Sequence, residues 1–427
     1  MSTTSQQDFD TLRIHAGYNP QEHNNSIQVP IYQTTAFDLQ SPERAVRLSK
    51  FEEIGFVYSR VNNPTVAALE ARVAALDGGV AAVAVASGAA AVSYAILNAA
   101  EGGRVIAAGQ IYGGTYDAYK RLFPTLGINV DVVDDVNDLD AVSRLIKEDT
   151  KAIFIETISN PLTVIADIEA LADLAHANDL PLIVDNSLAT PYLLDPIKHG
   201  ADVVVYSATK ALSGHGSVIG GLVVDAGKFD WSGSRHTHFK REILLFENKS
   251  FLETFPQFPF AARLRLTQVA LLGAALSPFN AYLILQGIET LSERVKKQSE
   301  SAWKIAEFLN EHPQVLWVSH PNLPDSKYKQ LAAKYLPKGT GGIFSFGFNG
   351  DAEARNKFIN ALKLFSYHAN LGDARSLIIN SPRTTHAELT EEEQLRAGVL
   401  PETLRLSIGL ESPDDLIADL LQAFAAV

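Results

Sequence analysis

The 427-residue sequence contains no cysteine. Disulfides, thiolate nucleophiles and cysteine-ligated metals are therefore excluded, and the composition suits a reducing compartment. Basic patches are missing too. Lys and Arg number 36 against 49 Asp and Glu, for a formal net charge of −13, and they are scattered rather than clustered. Nucleic-acid partners, which select for basic surfaces, are not expected. The stretch Met1–Asp10 lacks a basic segment followed by an apolar one, so no secretory leader is read. No internal repeat or low-complexity tract occurs. One charge-free stretch, Gly78 to Ala100, is long enough to span a bilayer. It is mostly Ala and Val with Ser87-Gly88 in its middle, which predicts a buried strand, a glycine turn and a buried helix. The expectation is a cytoplasmic protein with no membrane partner.

With 46% hydrophobic and 20% charged residues, the chain can bury a large core. Its length suggests two or three domains at roughly 150 residues each. Residues 1–62 show no sustained periodicity and read as an arm with one short helix near Pro42–Lys50, reaching a neighbouring subunit. From Asn63 the pattern becomes regular, with Pro64 opening a helix. Apolar runs at Ala81–Ala86, Arg104–Ala108, Asn129–Val133, Ala152–Glu156, Leu182–Asp185, Val203–Tyr206 and Gly221–Val224 alternate with helical segments. This predicts an α/β unit over 63–288, with a mostly parallel seven-stranded sheet covered by helices. Residues 228–267 break the rhythm and read as an irregular surface excursion. Its His236 and His238 lack a third ligand at useful spacing, so no metal site is expected. A long helix is predicted over Leu283–Asn310, punctuated by Gly287, and a C-terminal α+β domain fills 289–427.

Ligands of parallel sheets sit at the carboxyl ends of the strands. Asp185 closes one strand, and Lys210 follows another in the run Asp202-Val203-Val204-Val205-Tyr206-Ser207-Ala208-Thr209-Lys210. A pyridine-aldehyde cofactor needs both groups: an amine to form a Schiff base and an acid to keep the ring nitrogen protonated. Taken singly, each would read as a solvated strand end or a turn. Together, with the Ser207 and Thr209 hydroxyls suited to a phosphate, they point to pyridoxal 5′-phosphate. Ser87-Gly88-Ala89 joins a strand to a helix whose first amides attract a phosphate. Tyr112, before Gly113-Gly114, is placed to stack on a cofactor ring. Tyr58 and Arg60 fit a phosphate clamp or a plain surface turn about equally. Arg405 is a lone charge among apolar strand residues, which suits either a grip on a substrate carboxylate or a structural ion pair.

Ser207-Ala208-Thr209-Lys210, Tyr58-Ser59-Arg60 with Asn63-Pro64-Thr65, Tyr112-Gly113-Gly114-Thr115 and Arg405-Leu406-Ser407-Ile408-Gly409 resemble the Cys/Met-metabolism family of PLP enzymes, the γ-subfamily of fold type I, over nearly the whole chain. The resemblance implies a homotetramer of catalytic dimers with active sites shared across each dimer. It implies that Lys210 carries the cofactor and moves protons, that Asp185 pairs with the ring nitrogen, and that Tyr112 stacks on the ring and is a candidate acid–base. Gly88, Ala89, Ser207 and Thr209 would hold the phosphate, joined by Tyr58 and Arg60 from the neighbour. Asn160 and Arg405 would orient the substrate carboxylate.

Within the family, Asn370-Leu371-Gly372-Asp373-Ala374-Arg375-Ser376-Leu377 is similar to the O-acetylhomoserine sulfhydrylases. That implies γ-replacement with a small amino-acid ester and sulfide as substrates. Cystathionine γ-synthase, cystathionine γ-lyase and O-succinylhomoserine sulfhydrylase are the alternatives. A non-catalytic binding protein is the outlying one, and it gives Lys210 no purpose. Asn380-Ser381-Pro382-Arg383-Thr384-Thr385-His386 departs from the family's usual pattern, and the 228–267 excursion lacks the sulfhydrylases' Tyr-His-Gly.

Overall fold

The computed structural model describes residues 7–427, so most of the stretch Met1–Asp10, in which no leader is expected, lies outside the described residues. Seven strands form the larger sheet: β1 (Ala81–Val85), β2 (Gly103–Ala108), β3 (Ile128–Val133), β4 (Thr150–Glu156), β5 (Leu182–Asp185), β6 (Val203–Tyr206) and β7 (Gly221–Asp225). Their order is β1-β7-β6-β5-β4-β2-β3, and only β7 runs against its neighbours. The all-apolar strands belong in the middle. The β6 sequence Val-Val-Val-Tyr is buried throughout, because helices cover both faces of the sheet.

Five further strands make a second sheet in the order β10-β11-β12-β9-β8: β8 (Val315–Ser319), β9 (Ile343–Phe348), β10 (Ser366–Tyr367), β11 (Leu377–Ile379) and β12 (Thr403–Ser407). A separate apolar cluster backs it, with Phe344, Phe346, Phe348, Phe358 and Phe424 at its centre. The helix Leu291–Asn310 serves both cores. Leu291 and Val295 face the first cluster, while Ala302, Ile305, Ala306 and Leu309 face the second. Among the described residues, no helix is long and apolar enough to cross a membrane. The charge-free Gly78–Ala100 stretch is β1, the Ser87-Gly88 turn and the helix Gly88–Ala100.

Three expectations are corrected. The predicted helix Leu283–Asn310 is two helices, Pro278–Ile288 and Leu291–Asn310. A Cβ on Gly287 would lie 2.3 Å from the Ser213 carbonyl oxygen, so this glycine serves a close approach. The break just beyond it lets Arg294 turn back and donate to the Gly287 and Ala211 carbonyls, at 2.6 and 2.9 Å. The arm carries a second helix, Phe9–His15, capped by Asp8. Seven residues are too few to show periodicity or to hold a helix alone. Tertiary bonds support it, Arg13 to Glu293 at 2.6 Å and Arg72 to the Ala16 carbonyl at 3.0 Å.

The 228–267 excursion is not a surface loop. Trp231, Phe239, Phe246, Phe251 and Phe260 are buried, with Trp231 stacked 4.7 Å from Phe260. His236 and His238 are buried as well, each against a backbone carbonyl at 2.9 Å: Lys151 for the first, Asn98 for the second.

Candidate active site

The carboxyl ends of β4, β5 and β6 and the start of the Gly88–Ala100 helix open onto a cleft of about 360 Å³. Gly88, Ala89, Tyr112, Asn160, Asp185, Ser207, Thr209, Lys210 and Arg405 all line it. Nine of the eleven expected site residues are thus gathered from six separate stretches of chain. Tyr58 and Arg60 are not brought to this cleft. The Arg60 guanidinium lies 5.0 Å from the Tyr58 ring centroid, and its Nε donates to the Ala270 carbonyl at 3.0 Å.

The phosphate end is built by close packing. Ser87 caps the Gly88–Ala100 helix, its Oγ accepting the Ala90 N–H at 3.1 Å and its carbonyl the Ala91 N–H at 3.0 Å. The Gly88 and Ala89 amides take no part in that cap and stand at the positive end of the helix dipole. A Cβ on Gly88 would sit 2.4 Å from Ser207 Cβ and 2.8 Å from its Cα, so only glycine lets the helix start meet the Ser207 loop. Thr209 Oγ1 accepts the Gly220 N–H at 3.1 Å and donates to the Gly220 carbonyl at 3.2 Å, holding the lysine loop against the strand that follows.

At the other end, Asp185 accepts the Ser187 N–H on Oδ1 at 2.9 Å. Burial raises its carboxyl above the ordinary range, against the pull of Ser187. A cationic ring nitrogen beside it would supply the compensation that burial removes. Burial, aided by the Arg405 charge, lowers the Lys210 amine to about 8. Gly114 explains the seat of Tyr112: a Cβ there would be 2.7 Å from the Tyr112 ring. The phenol ring therefore folds down over a bare backbone.

Arg405, on β12 of the second sheet, is fully buried. Among the described residues it has no carboxylate partner, which removes the structural ion pair. Nη1 donates to Asn160 Oδ1 at 3.0 Å and Nη2 to the Asn370 carbonyl at 2.7 Å, while the buried Nε has no partner. Burial draws its pKa down to about 10. A buried guanidinium with unused donors is a receptor for an anion that fits its fork.

Two lining residues escaped the reading of the sequence. Asn370 Oδ1 accepts from the Lys210 amine at 3.1 Å while its carbonyl holds Arg405, so one residue touches both cationic groups. Nothing in the local sequence signals a contact across 160 positions. Glu156 closes β4 beside Asp185 in parallel register. The strand-end rule that selected Asp185 would have found it. Burial first, and then the neighbouring Asp185, push its carboxyl well above the usual range.

The chain matches the family described as Cys/Met metabolism PLP-dependent enzyme over residues 10–425. It belongs to that family. The cleft fits the family's cofactor: the Gly88 cradle and its amides suit a phosphate, Lys210 an aldehyde and Asp185 a pyridinium. Among relatives of this family member, a homocysteine synthase of Schizosaccharomyces pombe is 42% identical over 97% of each chain. An O-acetyl-L-homoserine sulfhydrylase of Leptospira meyeri is also 42% identical, over 97% of this chain and 96% of that one. A crystal structure from Campylobacter jejuni, assigned as an O-acetylhomoserine (thiol)-lyase and carrying an N′-pyridoxyl-lysine-5′-monophosphate, superposes with a TM-score of 0.95. It is 40% identical and covers 98% of this chain and all of its own. The fold is that of these PLP enzymes.

Proposed function

We propose that the protein carries out γ-replacement on O-acetyl-L-homoserine, joining sulfide to its Cγ and giving L-homocysteine and acetate. One observation carries the reading: a buried arginine fork without a carboxylate partner and a half-buried amine of lowered pKa share one cleft, both touching Asn370. An amino acid held by its carboxylate on Arg405 would present its Cα near the Lys210 amine. The full-length similarity to enzymes named for this reaction supports the choice of ester and thiol.

Pyridoxal 5′-phosphate, when bound, supplies an electron sink conjugated with the substrate's amino nitrogen. The rest falls to the chain's own residues. The Gly88 and Ala89 amides, with Ser207 and Thr209, hold the phosphate, and Asp185 keeps the ring nitrogen protonated. Arg405, braced by Asn160, fixes the substrate carboxylate. Lys210, neutral in a useful fraction near neutral pH, takes the proton from Cα and later from Cβ. Asn370 Oδ1 receives the amine between transfers. Acetate leaves from Cγ as the Cβ proton is removed, hydrosulfide adds at the same carbon, and Lys210 returns one proton to Cβ and one to Cα, which restores the count. Tyr112 is placed to hold a proton at the departing oxygen or the entering sulfur.

The same proposal includes a homotetramer in the cytoplasm, with Tyr58 and Arg60 completing the partner's phosphate site. Their absence from this chain's own cleft supports that assignment. It also includes division into an arm (1–62), a cofactor-binding unit (63–288) and a C-terminal unit (289–427), supported by the two separate apolar clusters. The test is a product assay with O-acetyl-L-homoserine, offering sulfide and cysteine in parallel. Homocysteine as the main product upholds the reading. Dominant cystathionine or 2-oxobutanoate overturns it in favour of a synthase or a lyase.

A further inference from the structure

We propose that Glu156 is a positioning residue, whose two carboxylate oxygens set the spacing between the aromatic that covers the ring and the amide that braces the substrate-binding arginine. The inference rests on the roles proposed above for Tyr112, Asn160 and Arg405. Glu156 Oε1 accepts the Tyr112 N–H at 2.9 Å, and Oε2 accepts the Asn160 N–H at 3.1 Å. These amides belong to different loops, one leaving β2 and the other leaving β4. Asn160 Oδ1 then takes Arg405 Nη1 at 3.0 Å. A continuous chain of bonds runs from Tyr112 through Glu156 and Asn160 to Arg405, linking what lies over the cofactor to what holds the substrate.

The residue type is demanding. Glu156 is buried, forms no ion pair among the described residues, and stands beside a second, half-buried acid at the matched position of the next strand. Its carboxyl is pushed well above the usual range, by burial first and then by Asp185. A site so unfavourable for an acid needs a reason to hold one. Only a carboxyl group offers acceptors on both terminal atoms at this length. A glutamine would accept one N–H and oppose the other with its own donors. Glu156 also lines the cleft, so the clamp acts at the wall of the site rather than at a distance.

The experiment compares holoenzyme of the wild type, Glu156→Gln, Glu156→Asp, Asn160→Ala and the double variant Glu156→Gln/Asn160→Ala. Its readouts are steady-state kinetics with O-acetyl-L-homoserine and sulfide, the visible absorption of the bound cofactor, its equilibrium dissociation, and far-UV circular dichroism. The expected result for Glu156→Gln is native dichroism, a shifted visible band as Tyr112 leaves its seat, and a KM for the ester raised roughly 5- to 30-fold, the scale of one or two buried hydrogen bonds. In the Asn160→Ala background the same change should add less than about twofold, because the bond chain is already cut. Glu156→Asp, too short to span both loops, should follow Glu156→Gln.

Wild-type values for both Glu156 variants would overturn the proposal, as would equal KM increments for Glu156→Gln in the two backgrounds. Loss of fold in both Glu156 variants would also overturn it, by showing that the acid serves the structure alone. Should the wild type make no homocysteine, the substrate reading fails by itself. The visible band and the cofactor dissociation still decide the role of Glu156.

Discussion

Moving the pH across the value set for Lys210 tests how the cleft prepares its amine. Burial and the Arg405 charge lower that pKa from 10.5 to about 8. The shift corresponds to about 3 kcal/mol. At pH 7 roughly a tenth of the amine would be neutral, against about 0.03% for a solvated lysine, an advantage of roughly 300-fold. Only the neutral amine attacks an aldehyde. Mixing cofactor-stripped protein with pyridoxal 5′-phosphate in a stopped-flow instrument, and following the visible band, reads this fraction directly. Normalised to a free lysine derivative in the same buffers, the rate constant should exceed the reference by about two orders of magnitude at pH 7. It should rise about tenfold per pH unit below pH 8 and level off above it, whereas the reference keeps climbing. Lys210→Ala should remove the phase. The sign for stability follows from the same shift. The folded pKa lies below the unfolded one, so the cost of burying the ammonium is full below pH 8 and is relieved as pH rises from about 8 to 10.5. A rate that climbs in parallel with the free amine through pH 9.5 would refute the argument.

Arg405→Ala should raise KM for the amino-acid substrate by about 10- to 100-fold, as a charge-assisted grip on a carboxylate is lost, while cofactor binding is preserved. An unchanged KM in steady-state assays would return Arg405 to a structural role. Gly88→Ala must part the helix start from the Ser207 backbone, 2.8 Å from the new Cβ, so cofactor dissociation should increase at least tenfold and thermal stability fall by about 1–3 kcal/mol. Equilibrium titration and a melting curve would check both. Gly114→Ala should displace the Tyr112 ring from its seat and lower kcat more than it weakens cofactor binding. Unaltered kcat would separate Tyr112 from the chemistry.

The parts of the site that could be read from the sequence are those whose chemistry is local. Lys210 and Asp185 follow uninterrupted apolar strands, and the strand ends of a parallel sheet share one edge, so two short patterns sufficed to place an amine and an acid together. The larger sheet was legible for the same reason, since Leu182–Asp185 and Val203–Tyr206 need no partner to announce themselves. The helix Phe9–His15 was not, because besides the local Asp10 its Arg13 pairs with Glu293, far along the chain, and a seven-residue helix needs that tertiary support. The break before Leu291 was hidden in the same way. It goes with Arg294 reaching two carbonyls, one of them on the residue next to Lys210 in sequence. The 228–267 segment misled through its histidines, which look polar in a string of letters but are buried against carbonyls beside Trp231 and Phe239.

Arg405 shows why the remaining residues depend on the assembled fold. It comes from the smaller sheet, whose core is separate, yet it works in a cleft built by the larger one. Something must fix the two units against each other at this point to within a hydrogen bond. Asn370 does so with its carbonyl on Arg405 and its amide oxygen on Lys210, and Asn160 does so from β4's loop. Gln298, on the helix shared by both cores, adds a 2.8 Å bond to the Asp373 carbonyl just beyond Asn370. The ties join positions from 35 to 245 residues apart. A substitution at any of them should therefore disturb the relation between amine and guanidinium while leaving each sheet intact. Local sequence cannot reveal that class of effect, because the quantity at stake is a distance between units rather than a property of either one.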